Sequence, residues 1–279
     1  ATYPQTRGRG ILQSMILKAW ADALVLDKPA GVSTHTPDAG NTEGFLEMAS
    51  RILNQPLWAV HRLDRDTSGC LIVTTKPESV EAWSAKLQRG NKKYTFISPK
   101  KSKKSVWSVS GRIEKVASHQ FGLVPGEPNS HTTFALLGPC GLGYLYEAEI
   151  TTGKTHQIRI HAAHSEIPIL GDNEHGGAPF TRLMLHAKDI ALDDDKVSSP
   201  LPKLFTQEGT VDNDTKKFLV SLDRRRFLIN YQQTETDCFR LVHREWTMGH
   251  DPKLCIEKLG DVIQFLNYGE GPLPKPLID

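Results

Sequence analysis

The chain has 279 residues, 38% of them hydrophobic, which suffices for one large domain or for a domain with an appendage. No apolar run approaches the ~18 residues of a membrane span, and the start, Ala1 to Gly8, has no secretory apolar segment. A formal net charge of +2 makes no case for nucleic acid by itself, and four scattered cysteines (Cys70, Cys140, Cys238, Cys255) without a Cys-x-x-Cys pair argue against a zinc ribbon or a disulfide framework, so a reducing, cytoplasmic setting is expected.

In chain order, residues 1–22 suggest an arm and a short strand, and Leu24–Leu26 a strand ended by Lys28-Pro29-Ala30-Gly31. Thr42–Leu53 has helical spacing with Phe45, Leu46, Met48 and Ala49 as its apolar positions. Trp58–Val60 leads into a charged loop, and Cys70-Leu71-Ile72-Val73 leaves it as a buried strand. Ser79–Gln88 is expected to be a helix with Ser79 as N-cap and Gly90 after its end. Tyr94–Ile97, Val106–Ile113, Thr132–Leu137, Leu145–Thr151 and His156–Ile160 have strand character, the last two separated by a Thr152-Gly153 turn. Many strands and few helices predict an α+β domain on an antiparallel or mixed sheet. Pro200, Pro202 and Gly209 mark a linker, dividing the chain into a domain at 1–209 and an accessory element at 210–279, with an amphipathic helix at Thr215–Leu228 and apolar alternation at Leu254–Ile263. Asp193-Asp194-Asp195 is expected to be a solubilising turn.

Charge is unevenly spread. Between Arg89 and Lys115 stand nine Lys or Arg residues (including Lys92, Lys93, Lys100, Lys101, Lys103 and Lys104) against a single acid, Glu114, with Tyr94, Phe96 and Trp107 among them. Such a stretch suits phosphate contact and base stacking, or equally a solvated loop.

The densest chemistry lies in His61-Arg62-Leu63-Asp64-Arg65-Asp66-Thr67-Ser68-Gly69. A carboxylate between arginines stays ionised, and an ionised carboxylate can be a nucleophile. Taken alone, the tripeptide also fits a surface ion pair. The nine residues together resemble the central motif of the RluA-type pseudouridine synthases: His-Arg-Leu-Asp, two variable residues and Thr-Ser-Gly. Thr152-Gly153-Lys154-Thr155-His156-Gln157-Ile158-Arg159-Ile160-His161, followed by Ile167-Pro168-Ile169-Leu170-Gly171-Asp172, resembles a second segment of that family, Gly-Arg-Thr-His-Gln-Ile-Arg-x-His ending in Pro-Ile-x-Gly-Asp. Lys154 stands where the family has arginine, keeping the charge and losing the planar fork. Leu26–Gly31 is similar to its early Lys-Pro-x-Gly turn and Leu185-His186-Ala187 to its late Leu-His-Ala, so the likeness covers roughly residues 20–205 in the family's order.

The resemblance implies an isomerase that breaks the N1–C1′ bond of a uridine in RNA, turns the uracil and rejoins it through C5. No electrons are exchanged, so no cofactor is expected, and the chain lacks phosphate-cradling, dinucleotide and Cys-rich metal motifs. Asp64 is implied as the catalytic carboxylate and Arg159 as its partner. Tyr94 is implied as the residue that stacks on the target base and is placed to take the C5 proton; a core tyrosine is the alternative. Arg62 is implied to fill the gap left when the uridine flips out, with His61, Lys92, Lys93, Lys154 and His156 as further RNA contacts. The expected partner is structured ribosomal or transfer RNA, bound by a monomer without a membrane.

A zinc site is not expected. On a strand His156 and His161 point to opposite faces, and His161 with His164 on a helix would lack a third ligand. The tail, with Asp237–Glu245 and Leu254–Ile263, resembles the small domain of a family of S-adenosylmethionine-dependent ribosomal RNA methyltransferases; the family's Asp-Gly-Leu-Pro-Gly is missing at Trp246–Pro252, as is its nucleotide-binding domain. A silent RNA-binding protein on the same scaffold, or a fragment of a bifunctional RNA-modifying protein, are the alternatives.

Overall fold

The computed structural model describes residues 15–37, 43–118, 120–193 and 195–206, and the backbone of three strands beyond them. The main body is one eleven-stranded mixed sheet. Its elements are β1 (Ile16–Ala19), β2 (Ala23–Lys28), α1 (Phe45–Leu53), β3 (Trp58–Ala59), β4 (Ser68–Thr74), α2 (Val80–Arg89), β5 (Asn91–Ser98), β6 (Val106–Ala117), β7 (Gln120–Val124), β8 (Ser130–Cys140), β9 (Gly143–Ile150), α3 (Gln157–His164), β10 (Leu185–Leu192), β11 (Asp195–Ser198) and α4 (Lys203–Thr206). The spatial order is β1-β2-β4-β10-β5-β9-β8-β6-β7, with β11 on β10 and β3 on β4. Among the described residues the one parallel pairing joins β4 to β10, at His186 against Ser68 and Ala187 against Gly69.

The pleat sorts side chains into two cores. Leu24 and Leu26 of β2, with Leu71 and Val73 of β4, face the larger core under α1, built on Phe45, Phe96, Phe134 and Tyr146. Their neighbours Ala23, Val25, Cys70 and Ile72 face a smaller core closed by Trp83 and Leu87 of α2. Being covered on both sides, β4 is buried along its whole length, which is why its sequence is a continuous apolar run. α1 buries the four apolar positions expected of it. α2 follows a 3-10 turn at Pro77–Ser79, and Gly90 closes it by donating to the Lys86 carbonyl. Ser79 stands at the N-cap without bonding its own helix; its side chain bonds Asp22 instead, which with Trp83 holds that carboxyl below its usual range.

Two expectations are corrected. His156–Ile160 is not a strand: Gln157–His164 is helix α3, and Gln157 through Ala162 are all buried. A helix buried along most of its length shows no helical period, and the alternation of Ile158 and Ile160 imitates a strand. The expected linker is also partly core. Lys203–Thr206 is a helical turn whose Leu204 and Phe205 are buried against the main sheet's core, because two apolar residues after Pro202 have somewhere to pack. The helix expected at 215–228 and the middle of the acidic turn, at 194, lie outside the described residues. Asp195 itself is bonded to Lys18 and Trp20. In the tail, β12 (Cys238–Val242), β13 (Leu254–Leu259) and β14 (Val262–Asn267) form a separate antiparallel sheet.

Gly69 lets β4 and β10 meet. Its φ is +111°, and a Cβ there would overlap the carbonyl oxygen of Ala187. Gly69→Ala is therefore expected to destabilise the fold by at least ~1–3 kcal/mol, the usual cost of a strained backbone region alone. A lowered denaturant midpoint in an equilibrium unfolding curve checks this.

Candidate active site

The residues between β3 and β4 form a loop that carries Asp64 at its turn, closed by the Thr67 amide donating to the Asp64 carbonyl. Three devices hold the loop. Leu63 is buried in the larger core, and its amide and carbonyl both bond the Thr34 hydroxyl, at 3.1 and 2.8 Å. The Gly31 amide donates to the Arg65 carbonyl. Beneath the loop lies Lys28, fully buried, whose Nζ donates to the carbonyls of Pro29, Arg65 and Thr67 at 2.9, 3.1 and 2.9 Å. Burial pushes its ammonium down to about 7, against the pull of Asp66 and Asp64. Further along, Ser68 Oγ is 2.8 Å from Arg182 Nη2 and 2.9 Å from His186 Nδ1, and burial takes that imidazole down to about 3, so it is neutral.

Opposite the loop, α3 presents Arg159. Its guanidinium is buried and forked onto Asp172, Nε to Oδ2 at 2.8 Å and Nη2 to Oδ1 at 2.7 Å. Nη1 reaches Asp64 Oδ2 at 3.4 Å, and Nη2 reaches Glu174 Oε2 at 3.2 Å. Burial alone would lower the Arg159 pKa; the hydrogen bonds and charge of Asp172, with Asp64 and Glu174, raise it further above an already basic value. Asp172 is fully buried, whereas Asp64 keeps 29% of its side chain exposed, so the fork is anchored inside and offers its remaining edge outward. His156, the residue before α3, sits in the left-handed region at φ +56°, a conformation histidine adopts more readily than most residues. Its Nε2 is 3.9 Å from Asp64 Oδ2, beyond a hydrogen bond.

These groups border a cleft of about 1210 Å³ whose lining includes His61, Arg62, Asp64, Lys92, Tyr94, Lys154, His156 and Arg159. Eight of the nine expected site residues thus share one cavity. Tyr94 is buried, and desolvation with the nearby Asp64 charge raises its phenol pKa, so it stays protonated. Lys92 is buried with Nζ 3.4 Å from the Thr151 carbonyl, and burial lowers its pKa. His61 is tied to the scaffold: its Nε2 accepts the Ile72 amide at 3.1 Å, and desolvation and Lys92 hold the ring neutral with a pKa of about 4. Arg62 and Lys154 are exposed at the rim.

Lys93 is the exception. Strand alternation places it on the other face from Lys92 and Tyr94, where Nζ pairs with Glu147 at 2.7 Å and Glu149 at 3.5 Å. The rest of the basic stretch is also outside the cleft. Arg112 pairs with Glu114, and Lys100 to Lys104 follow the far end of β5, in a turn held by Tyr146. Residues that sequence reasoning left without a role are Asp172, Lys28, Thr34, Glu174 and His175. The Lys-Pro turn and the Gly-Asp ending were the visible signals for the first two; the others are brought in by folding alone.

Comparison with known proteins agrees with this geometry. Residues 22–164 match the family model described as RNA pseudouridylate synthase. The chain belongs to the RNA pseudouridylate synthase family. An uncharacterized RNA pseudouridine synthase of Zymomonas mobilis is 32% identical over 216 residues, covering 71% of this chain and 99% of the relative. The ribosomal large subunit pseudouridine synthase C of Pasteurella multocida is 29% identical, covering 77% and 70%. The fold is that of the human RNA pseudouridylate synthase domain containing 1 structure, with a TM-score of 0.58 at 22% identity over 75% of this chain and 94% of that one. Among the described residues no helix is long and apolar enough to cross a membrane.

Lys28 yields a pH test for this pseudouridylate synthase scaffold. An amine with a folded pKa of about 7 and an unfolded value of 10.5 is held less protonated by the fold. Its burial penalty is complete below pH 7 and is relieved as the pH rises towards 10.5. The stability of wild type relative to Lys28→Met should therefore rise with pH across that window. Urea unfolding of both proteins at intervals from pH 6 to 10 checks the sign.

Proposed function

We propose that Asp64 is the catalytic carboxylate with which this RNA uridine isomerase makes pseudouridine. The observation that carries the proposal is the position of Asp64: half-exposed in the cleft, 3.4 Å from the buried Arg159 fork, with Tyr94 lining the same cavity. Arg159 orients the carboxylate and favours its ionised form. Three routes use that same group: addition to the base, attack on C1′, or abstraction of a ribose proton. In each, the N1–C1′ bond breaks, a C5–C1′ bond forms, C5 loses a proton and N1 gains one, so atoms balance without a cofactor.

Tyr94 offers the face on which the uracil stacks. As a neutral phenol it can take the C5 proton only as its own passes to another base of the cleft or to solvent. Arg62, exposed on the Asp64 loop, is the side chain we assign to fill an RNA stem as the uridine leaves it. The relative from Pasteurella multocida is named for the ribosomal large subunit, and we take large-subunit ribosomal RNA as the substrate to test first. We take residues 210–279 as an accessory element, supported by strands that pair among themselves.

Asp64→Asn keeps the shape and removes the charge. It should abolish pseudouridine formation, read by mapping modified positions in RNA, while binding measured by filter retention largely survives. Turnover at the wild-type rate would move the catalytic role elsewhere; a wild-type protein that binds RNA and forms no pseudouridine would favour the silent binding protein. A second test concerns the rim. Each phosphate contact releases counterions, so Arg62→Ala and Lys154→Ala should each flatten the salt dependence of RNA binding by ~1 in log–log slope, and Lys93→Ala should leave it unchanged.

A further inference from the structure

Folding brings His156, Glu174 and His175 together at the edge of the cleft. His156 Nδ1 is 3.1 Å from His175 Nε2 and 3.3 Å from Glu174 Oε2, and all three atoms lie within 4.8 Å of one another. Zinc bonds of ~2.0–2.1 Å in a tetrahedron set neighbouring ligand atoms ~3.3–3.4 Å apart. Two edges of this triangle therefore have nearly the required length before any metal arrives. Two imidazoles and one carboxylate are a borderline donor set, suited to zinc and poorly suited to magnesium, which prefers oxygen.

The surroundings fit a dication. Arg159 lies 3.2 Å from Glu174, and its charge is offset by Asp64 and Asp172, which both pair with it. Glu174 is 62% exposed and can turn towards a metal without disturbing the core, while the Asp172 fork keeps Arg159 in place. The His175 amide donates to Asp172 Oδ1, which fixes its backbone independently of its ring.

We infer that His156, His175 and Glu174 form a zinc-binding site whose occupation shuts off the isomerase. Metal on His156 Nδ1 leaves the ring proton on Nε2, facing Asp64. Zinc-bound histidines characteristically give that second N–H to a carboxylate. Closing the present 3.9 Å gap would tie up Asp64 as an acceptor, and the metal would occupy cleft space beside it. The inhibitory part rests on Asp64 being catalytic; the metal-binding part does not.

The test uses the full chain, stripped with chelator and dialysed. Titration calorimetry with zinc chloride should show a site that Mg²⁺ does not fill, and His175→Ala and Glu174→Gln should each weaken it at least ~10-fold, as loss of a metal-site group does. Zinc at ten times its Kd should leave the wild type with about a tenth of its metal-free activity, and the same zinc should leave His175→Ala at its own metal-free rate, each protein being compared with itself. Absence of zinc binding, or binding by either variant as tight as that of the wild type, would overturn the site. Binding lost in the variants without inhibition of the wild type would overturn the switch. Wild type that binds zinc at this site but forms no pseudouridine when metal-free would instead count against the proposed function.

Discussion

A buried guanidinium must be paired, and the way Arg159 is paired determines the geometry of everything around it. Removing a charge from water costs several kcal/mol unless its hydrogen bonds are replaced. Asp172 replaces two of them in one planar fork. That fork requires α3 to run inside the protein and requires the turn at Gly171-Asp172 to lie directly against it. Gly171 has φ +84°, and a Cβ there would overlap the Arg182 carbonyl, so the turn is packed as closely as backbone allows. One guanidinium edge is left, and it points to Asp64. Asp64 thus contacts a group that cannot move without breaking the fork.

The other half of the site is fixed from below. The Asp64 loop has few bonds within itself, and Lys28 gathers its carbonyls from underneath. An amine serves here because it offers several donors in different directions, which one backbone amide cannot. Its depressed pKa is the cost of that arrangement, while Asp64 and Asp66 nearby limit the depression. Lys28 and Arg159 therefore approach the same loop from two sides, one through the backbone and one through the side chain.

Much of this was legible in the chain. β4 stands out because a strand covered on both faces has no polar positions, and α1 because its four apolar residues recur at helical spacing. The loop between them was legible as chemistry because charge is concentrated in it. α3 is ambiguous for the same reason that β4 stands out: burial from Gln157 to Ala162 erases periodicity, and a short run of this kind fits either element. Lys93 was misplaced because a basic run in sequence becomes two opposite faces on a strand. Glu174 and His175 carry no local signal because their partner His156, 19 residues before His175, meets them only once α3 and the following turn have folded. Leu204 and Phe205 were lost in a linker because two prolines nearby dominate the local pattern.

The charge in the cleft is graded, and the grading bears on what can enter. Inside, Asp64 and Asp172 are matched by Arg159 and by the buried Lys92, so the floor has no excess of cations. At the rim, Arg62 and Lys154 are exposed and the cations dominate. A polyanion is drawn to the rim and finds no such attraction on the floor, where the Asp64 carboxylate would face a phosphate at short range in a partly dry site. The part of an RNA strand that can leave the rim for the floor is the part without charge, a nucleobase. On this arrangement the phosphates would stay with Arg62 and Lys154 while the uracil goes down to Tyr94 and Asp64. Under the proposed role of Asp64, a base that left its stem would enter this floor without carrying charge into it, and a phosphate that followed would meet the Asp64 carboxylate.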